Sequence, residues 1–174
     1  MTSLKEYAYT TAGTITGTPT RTVTGTYNNA WKDQLTSWDG ETITYNACGC
    51  MTQKGSTTYT WGPGNQLLGV NNGQTISYMY DYTGKRTKKT VGSTVTNYRW
   101  AGDMLMSEKT GSDTICYHYD TAGDLIAFSL NGTKYLYLKN LQNDIIGITD
   151  LAGNIKVEYT YDSWEKILSV TYYN

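Results

Sequence analysis

The sequence is short of several residue types, and each shortage argues against a class of protein. Among 174 residues there are one Phe, one His, two Pro and three Cys, and only 17% of the residues are charged. Three Cys cannot all pair within the chain, so a disulfide framework is not expected. No run of about 18 apolar residues occurs, which argues against a membrane-spanning helix. Residues 1–7 contain no apolar core and do not resemble a secretory signal.

The charge and the metal-ligating residues also point away from several functions. The formal net charge is −1, so nothing electrostatic indicates a nucleic-acid partner. Cys48 and Cys50 lie two apart, a poor match to the C-x-x-C spacing of zinc sites, and no calcium-binding D-x-D-x-D-G loop is present. His118 is the only His, which excludes a site with two His ligands. We therefore expect no cofactor, no metal and no catalytic centre, that is, a protein that is not an enzyme.

Tyrosine is the residue that the sequence has in abundance, with 17 copies. Aromatic and β-branched side chains fit the half-buried surface of a pleated sheet, so the composition predicts an all-β protein. The excess of Tyr over Phe indicates rings whose polar edge contacts water or a hydrogen-bonding partner.

One phrase of sequence recurs along the chain. Residues 117–125 read YHYDTAGDL, and residues 78–86 read YMYDYTGKR. Two Tyr spaced by two share one face of a strand, and the Asp and Gly that follow favour a tight turn. Such ring pairs recur about every 20 residues, a period that fits a two-stranded unit. They begin at Tyr59, Tyr78, Tyr98, Tyr117, Tyr135 and Tyr159.

The segments between these phrases predict the connections. Short Asn/Gly/Ser turns, such as NNG at 71–73 and NG at 131–132, precede the Tyr strands, and D-x-x-G turns follow them. Residues 151–154 are predicted to form another of these short turns. The pattern predicts a meander of antiparallel hairpins with roughly 15 strands. Residues 1–30, rich in Thr and Gly, are expected to form an edge hairpin or arm, and residues 31–174, beginning at Trp31, one continuous array.

The sequences of these units resemble those of the Rhs (rearrangement hotspot) or YD-repeat family, whose repeat motif is Y-x-Y-D-x-x-G-x-L. Residues 117–125 match it completely, and residues 78–86 match it as far as the Gly. The stretch 135–164 is similar to the last repeats of Gram-positive wall-associated Rhs proteins. The resemblance implies a spiral or curved sheet of hairpins, part of a hollow shell around a C-terminal toxin, as in teneurins and the C components of Tc toxins. It also implies a secreted or cell-surface location.

The function expected from this resemblance is structural: the chain would be a fragment of an Rhs-type shell of a bacterial secreted toxin or surface protein. The family's self-cleaving core end and toxin are not recognised in residues 1–174. The expected partners are the remaining repeats or other copies of the chain, joined through open strand edges, with a toxin cargo or a glycan in addition. The alternative is a carbohydrate-binding surface module that uses same-face Tyr and Trp rings.

Particular residues carry these two hypotheses. Structural roles in the repeat are predicted for Tyr78, Tyr80, Asp81, Gly84, Tyr117, Tyr119, Asp120, Gly123, Tyr135, Tyr137, Tyr159, Tyr161 and Asp162. Sugar stacking is the alternative for Tyr59, Trp61, Tyr98 and Trp100. Asn143 and Glu165 occupy the Gly position of the phrase, where Glu is unfavourable. We therefore expect Glu165→Gly to raise stability.

Overall fold

The structure is a computed structural model that describes residues 2–9, 15–30, 33–162 and 165–173. These residues contain 17 β-strands and one short 3-10 helix, Pro63–Asn65. In two runs of consecutive strands, one within residues 2–80 and the other within residues 86–172, each strand pairs antiparallel with the next. The predicted all-β array of antiparallel hairpins is confirmed, with two more strands than the estimate of about 15. In the part that is described, no helix has the length and apolar character needed to cross a membrane.

The chain divides into two compact units, Met1–Tyr78 and Met79–Asn174, and the division falls inside one strand. Unit 1 contains β1 (Thr2–Tyr9), β2 (Ile15–Tyr27), β3 (Leu35–Trp38), β4 (Glu41–Tyr45), β5 (Met51–Lys54), β6 (Thr57–Trp61), β7 (Leu67–Asn71) and the start of β8 (Thr75–Tyr80). Unit 2 contains the end of β8 and β9 (Arg86–Val91), β10 (Thr94–Ala101), β11 (Met104–Thr110), β12 (Asp113–Tyr119), β13 (Leu125–Leu130), β14 (Thr133–Lys139), β15 (Ile145–Asp150), β16 (Ile155–Tyr161) and β17 (Ile167–Tyr172).

The predicted arm, residues 1–30, contributes β1 and β2, which pair with each other. Strand β2 also pairs with β3, across the predicted boundary, with Gly25 opposite Trp38. The boundary at residue 30 stays a prediction. Trp31, where the array was expected to begin, and Trp164, in the family-like stretch, lie outside the described residues.

The short hairpin turns follow local sequence. At the predicted NG turn, Asn131 and Gly132 both have positive φ, 49° and 91°. Positive φ at both central positions is the signature of a type I′ turn, whose twist matches that of the flanking strands. Asn tolerates this conformation better than other side chains, and Gly adopts it without cost, so the dipeptide itself determines where β13 ends and β14 begins.

At the end of many strand pairs opposite the short hairpin turn, the pairing register between the two strands shifts. In unit 2 the pairing shifts between Arg99 and Trp100, His118 and Tyr119, Leu138 and Lys139, and Thr160 and Tyr161. Each shift is a β-bulge, which leaves one residue outside the regular ladder. The second ring of the Y-x-Y or Y-x-W pair in β10, β12 and β16 therefore lies opposite a bulge, whose extra residue belongs to the following strand: Met106, Ile126 and Leu168.

Few side chains are fully buried. Among the described residues, Val23, Ile43, Ala127 and Thr149 expose only 1–4% of their surface. Side chains in such an array are covered mainly by neighbours on the adjacent strands, as in other repeat proteins. The aromatic positions are consequently half-buried rather than enclosed in a core.

Candidate functional site

The turn after several of the Tyr strands is built around one acidic or amide side chain. In the turn after β12, Asp120 Oδ1 accepts the N–H groups of Ala122 and Asp124 at 2.8 and 2.9 Å. The Asp120 N–H donates to the Asp124 carbonyl at 2.9 Å, and the Gly123 N–H donates to the Asp120 carbonyl at 3.1 Å. Gly123 has a φ of 91°, which closes the loop. These bonds explain why Asp and Gly occur at this spacing.

The same geometry recurs in both units. The side-chain oxygens of Asn46, Asp81, Asn140 and Asp150 each accept backbone N–H groups two and four residues further on. Asp162 Oδ1 accepts the N–H of Lys166 at 3.0 Å. The fourth position has positive φ throughout, at Gly49, Gly84, Gly123, Asn143, Gly153 and Glu165. Asp81, Gly84, Asp120, Gly123 and Asp162 thus occupy equivalent places in the fold.

Two of these turns differ from the expected alternation. Residues 151–154 were grouped with the short hairpin turns, but the turn starts at Asp150 and is of the D-x-x-G kind. The grouping was wrong because Asp150 ends strand β15 and was not counted as part of the turn. Asn46 was also missed, although N-x-x-G with Gly49 was the available signal. Asn accepts the same N–H groups as Asp.

Hydrogen bonding favours the charged form of two turn carboxylates. The Thr83 hydroxyl, and then the N–H groups of Lys85 and Thr83, hold the pKa of Asp81 below its usual value. The Asn154 side-chain amide and the N–H groups of Asn154 and Ala152 lower the pKa of Asp150 in the same way. These turns are therefore stabilised by ionised carboxylates.

The predicted ring positions form one face of the sheet in unit 2. Tyr117 lies opposite Phe128, which lies opposite Tyr135 on the next strand. The Phe128 ring stacks on Tyr135 with centroids 5.2 Å apart and contacts Tyr137 at 5.3 Å. We call this the aromatic face. It also carries Tyr119, Tyr159 and Tyr161, all half-buried.

Several Tyr and Trp side chains donate hydrogen bonds to the strand that precedes their own in the chain. The acceptors are backbone carbonyls of the first or second residue after a turn, which we call turn-exit carbonyls. In unit 1, Tyr45 Oη donates to Leu35 at 2.8 Å and Trp61 Nε1 to Met51 at 2.6 Å. In unit 2 the pairs are Trp100 Nε1 to Arg86 at 2.8 Å, Tyr119 Oη to Leu105 at 2.8 Å and Tyr161 Oη to Ile145 at 2.7 Å. Phe has no donor for this position, which accounts for the excess of Tyr over Phe.

One carboxylate is placed on the aromatic face. Tyr117 Oη donates to Glu108 Oε1 at 3.0 Å. Burial, followed by the negative charge of Glu108, raises the pKa of Tyr117 well above its ordinary value. Burial also raises the pKa of Tyr137 and of Tyr159. Tyr117, Tyr137 and Tyr159 are accordingly neutral at physiological pH.

The residues predicted to stack on sugars fall into two pairs. Tyr59 and Trp61 lie on β6 in unit 1, and the Trp61 indole is occupied by its bond to Met51. Tyr98 and Trp100 line a cleft of about 490 Å³ together with Tyr80, Lys85 and Arg86. Lys85 Nζ lies 5.7 Å from the centroid of the Trp100 ring and is paired with Asp103. Sugar stacking stays a prediction for both pairs, and Tyr98 with Trp100 is the pair that borders this cleft.

A second cleft in unit 2 was not foreseen. It has a volume of about 680 Å³ and lies between two turns, those that begin at Asn140 and Asp162. Asp144, Asp162 and Glu165 line it beside Tyr159 and Tyr161. No sequence signal could locate it, because it requires two turns more than 20 residues apart to lie side by side.

The Cys and His side chains are not among the residues that line these two clefts. Cys48, Cys50 and Cys116 are all free thiols. His118 Nε2 lies 2.8 Å from Ser129 Oγ. Among the described residues, no group of three or more His, Cys, Asp or Glu side chains is arranged to hold a metal ion.

Sequence comparison finds relatives among bacterial nucleases. No family model matches the chain. It is 36% identical over 162 residues to the tRNA3(Ser)-specific nuclease WapA of Bacillus spizizenii and to the tRNA nuclease WapA of Bacillus subtilis strain 168. Each alignment covers 88% of this chain but 7% of the relative, so the chain spans a small fraction of the relatives' length.

Structure comparison finds the same fold in Tc toxins. The Tc holotoxin pore of Photorhabdus luminescens matches with a TM-score of 0.51 and 13% identity, over 98% of this chain and 13% of that one. The TcdB2-TccC3 crystal structure matches with a TM-score of 0.50 and 15% identity, over 89% and 11%. At sequence identities of 13% and 15%, these matches show similarity of fold alone.

The hairpins, their D-x-x-G turns and the aromatic face define a repeat protein made of two-stranded units. With the recurring Y-x-Y-D phrase and the relatives above, they are consistent with the Rhs/YD-repeat family, which the sequence resembles.

The prediction that the protein is not an enzyme is corrected by these relatives, because they are named tRNA nucleases. The prediction considered only the side chains of residues 1–174. The activity in those names belongs to proteins of which these residues match 7%, so the side chains of this stretch could not exclude it.

Proposed function

We propose that this chain is a repeat module of an Rhs-type shell in a longer, secreted or cell-surface protein with nuclease activity. The observation that carries the proposal is the continuous aromatic face of unit 2, which is half-buried and so retains apolar surface for contact with an enclosed segment. The relatives named as tRNA nucleases support the connection to such a protein. Containment is the role that the geometry of this stretch supports best.

The first test is to read the gene on both sides of the codons for residues 1 and 174. Further Y-x-Y and D-x-x-G units on one side and a separate domain on the other are expected. The longer protein is then treated with a protease under native conditions, and the domain is expected to resist cleavage. Cleavage of tRNA by the longer protein and by residues 1–174 is measured in parallel, which locates the catalytic groups.

A matched pair of variants tests the aromatic face itself. Tyr137→Lys places a charge on that face, whereas Leu136→Lys places the same charge on the opposite face of the same strand, where the side chain is already 38% exposed. The first variant is expected to make the enclosed domain sensitive to protease, and the second is not. Equal sensitivity of wild type and both variants would overturn the containment role.

The cleft at Tyr98 and Trp100 favours carbohydrate binding as a second candidate function. Aromatic walls with two cationic side chains, Lys85 and Arg86, fit a sugar that carries an acidic group. The test is a glycan array probed with the wild-type chain and with Tyr98→Ala, with thermal melting to verify folding. Binding of acidic glycans that is lost in Tyr98→Ala is expected, and an empty array removes this candidate.

A further inference from the structure

Three cationic side chains surround one amide on the side of the sheet opposite the aromatic face. In β10, Asn97 lies directly opposite Lys88 of β9 and Lys109 of β11. Arg99 is two residues further along β10, so it projects from the same side of the sheet as Asn97. We call Lys88, Asn97, Arg99 and Lys109 the cationic cluster.

The cluster is compact because its members occupy three adjacent strands. Lys88 and Lys109 are two strand spacings apart, which is about 10 Å between their backbones. Arg99 is diagonal to each of them, at roughly 7–8 Å. These separations are close to the Debye length of about 8 Å at physiological ionic strength. The three positive charges therefore act together on a ligand.

The charges of the cluster are not neutralised within the part of the chain that the structure describes. None of the three cations forms an ion pair with another described side chain. The carboxylates that follow or precede them closely in the sequence are engaged elsewhere. Asp103 pairs with Lys85, and Glu108 accepts the hydroxyl of Tyr117 on the aromatic face. The cluster is therefore a local positive patch on a chain whose net charge is −1.

The neighbouring side chains on this side of β10 and β11 are hydrogen-bonding groups. Ser107 lies opposite Arg99, and Thr114 of β12 lies opposite Lys109. Tyr98, between Asn97 and Arg99, projects from the other side of β10, opposite Glu108. A ligand on this side is consequently held through its charge and its oxygen atoms and not by stacking on a ring. Ammonium groups and a guanidinium fork together are suited to phosphate.

We propose that the cationic cluster binds a linear polymer of phosphate groups. Arg99 and Lys109 are exposed, and Lys88 is half-buried, so the cluster forms an open surface and not an enclosed pocket for one ion. A chain of phosphates contacts all three cations in succession, and the Asn97 amide donates to an oxygen between them. The inference goes beyond containment, which uses the opposite side of the sheet, and does not depend on it.

Binding of inorganic polyphosphate to the 174-residue chain is measured at several salt concentrations. Three single variants, Lys88→Gln, Arg99→Gln and Lys109→Gln, each remove one charge. Each is expected to weaken binding roughly two- to fivefold, the contribution of one exposed ion pair. The salt dependence of the affinity should also become shallower with each cation removed, because fewer counterions are released on binding. Thermal melting verifies that each variant folds.

The matched control is Lys89→Gln. Lys89 is the next residue of the same strand and carries the same charge, but it lies opposite Thr96 and so projects from the other side of the sheet. Polyphosphate binding is expected to be unchanged in this variant. An equal loss in Lys89→Gln and Lys88→Gln would overturn the inference, because net charge alone would then explain the binding.

Two further results would also overturn it. The first is that polyphosphate does not bind the wild-type chain at low salt. The second is that heparin or polyglutamate binds as tightly as polyphosphate, which would replace phosphate by sulfate or by any anionic polymer. Neither result affects the protease protection measured on the longer protein, so this inference and the containment role can fail separately.

Discussion

Replacing Glu165 by Gly is expected to stabilise the last hairpin of unit 2. Glu165 has a φ of 62° at the turn position where Gly84, Gly123 and Gly153 have φ between 86° and 91°. A Cβ built on Gly123 or Gly153 meets no other atom within 4 Å. A side chain at this position therefore costs free energy through the strained backbone torsion and not through a steric clash.

The magnitude follows from two opposing terms. A non-glycine residue in the left-handed region costs about 1–2 kcal/mol. Relief of this cost by glycine is offset by roughly 0.5–1 kcal/mol, because glycine has more conformational freedom to lose when the unfolded chain folds. The expected net gain is about 0.5–1 kcal/mol, which for a domain of this size corresponds to a rise of about 1–4 °C in Tm.

The assay combines thermal melting with hydrogen exchange. The Tyr161 and Ile167 amides flank the turn and should become more protected, because repeat arrays open locally from their ends. Asn143→Gly is expected to give a smaller gain at its own turn, since Asn tolerates its φ of 72° better than Glu does.

A charge control separates torsion from electrostatics. Glu165 lines a cleft with Asp144 and Asp162, so its removal also relieves repulsion between carboxylates. Glu165→Gln removes the charge and keeps the torsional cost. If Glu165→Gln stabilises as much as Glu165→Gly, the torsional argument is refuted.

Three further predictions concern the turns and rings. The lowered pKa values of Asp81 and Asp150 contribute stability that is present above their unfolded pKa of about 3.9 and is lost as pH falls toward the folded pKa. Melting curves from pH 7 to pH 3 should decline less in an Asp81→Asn, Asp150→Asn double variant, since Asn keeps the turn bonds without a charge. Tyr119→Phe removes the donor to Leu105 and should lower the free energy of unfolding by about 1 kcal/mol. Tyr135→Phe, which keeps the stack on Phe128, should cost clearly less, and equal losses would argue against the ring-donor role. The raised pKa of Tyr117 contributes stability that is present below pH 10 and lost at higher pH. Absorbance titration near 295 nm should show a late tyrosine that is missing in Tyr117→Phe.

Much of the fold could be predicted because its signals are local. The alternation of Tyr117 and Tyr119 gives the strand, and Asp120 with Gly123 gives the turn, all within seven residues. The same local reasoning failed at Asp150, where the turn begins with the last residue of a strand. It gave no indication that Tyr117 would meet Glu108, because that contact joins two strands whose register is determined by the whole sheet.

The sequence alone determined the class of fold, the repeat period and the positions that require positive φ. These depend on a residue and its nearest neighbours, through side-chain alternation and backbone torsion. The tertiary structure decided which carbonyl each ring would bond and that Tyr98 and Trp100 border a cleft. Those features depend on bulges and register between strands, which bring together groups such as Leu105 and Tyr119 that lie 14 residues apart. The repeat therefore specifies its own hairpin, and the pairing of hairpins specifies the surface on which function depends.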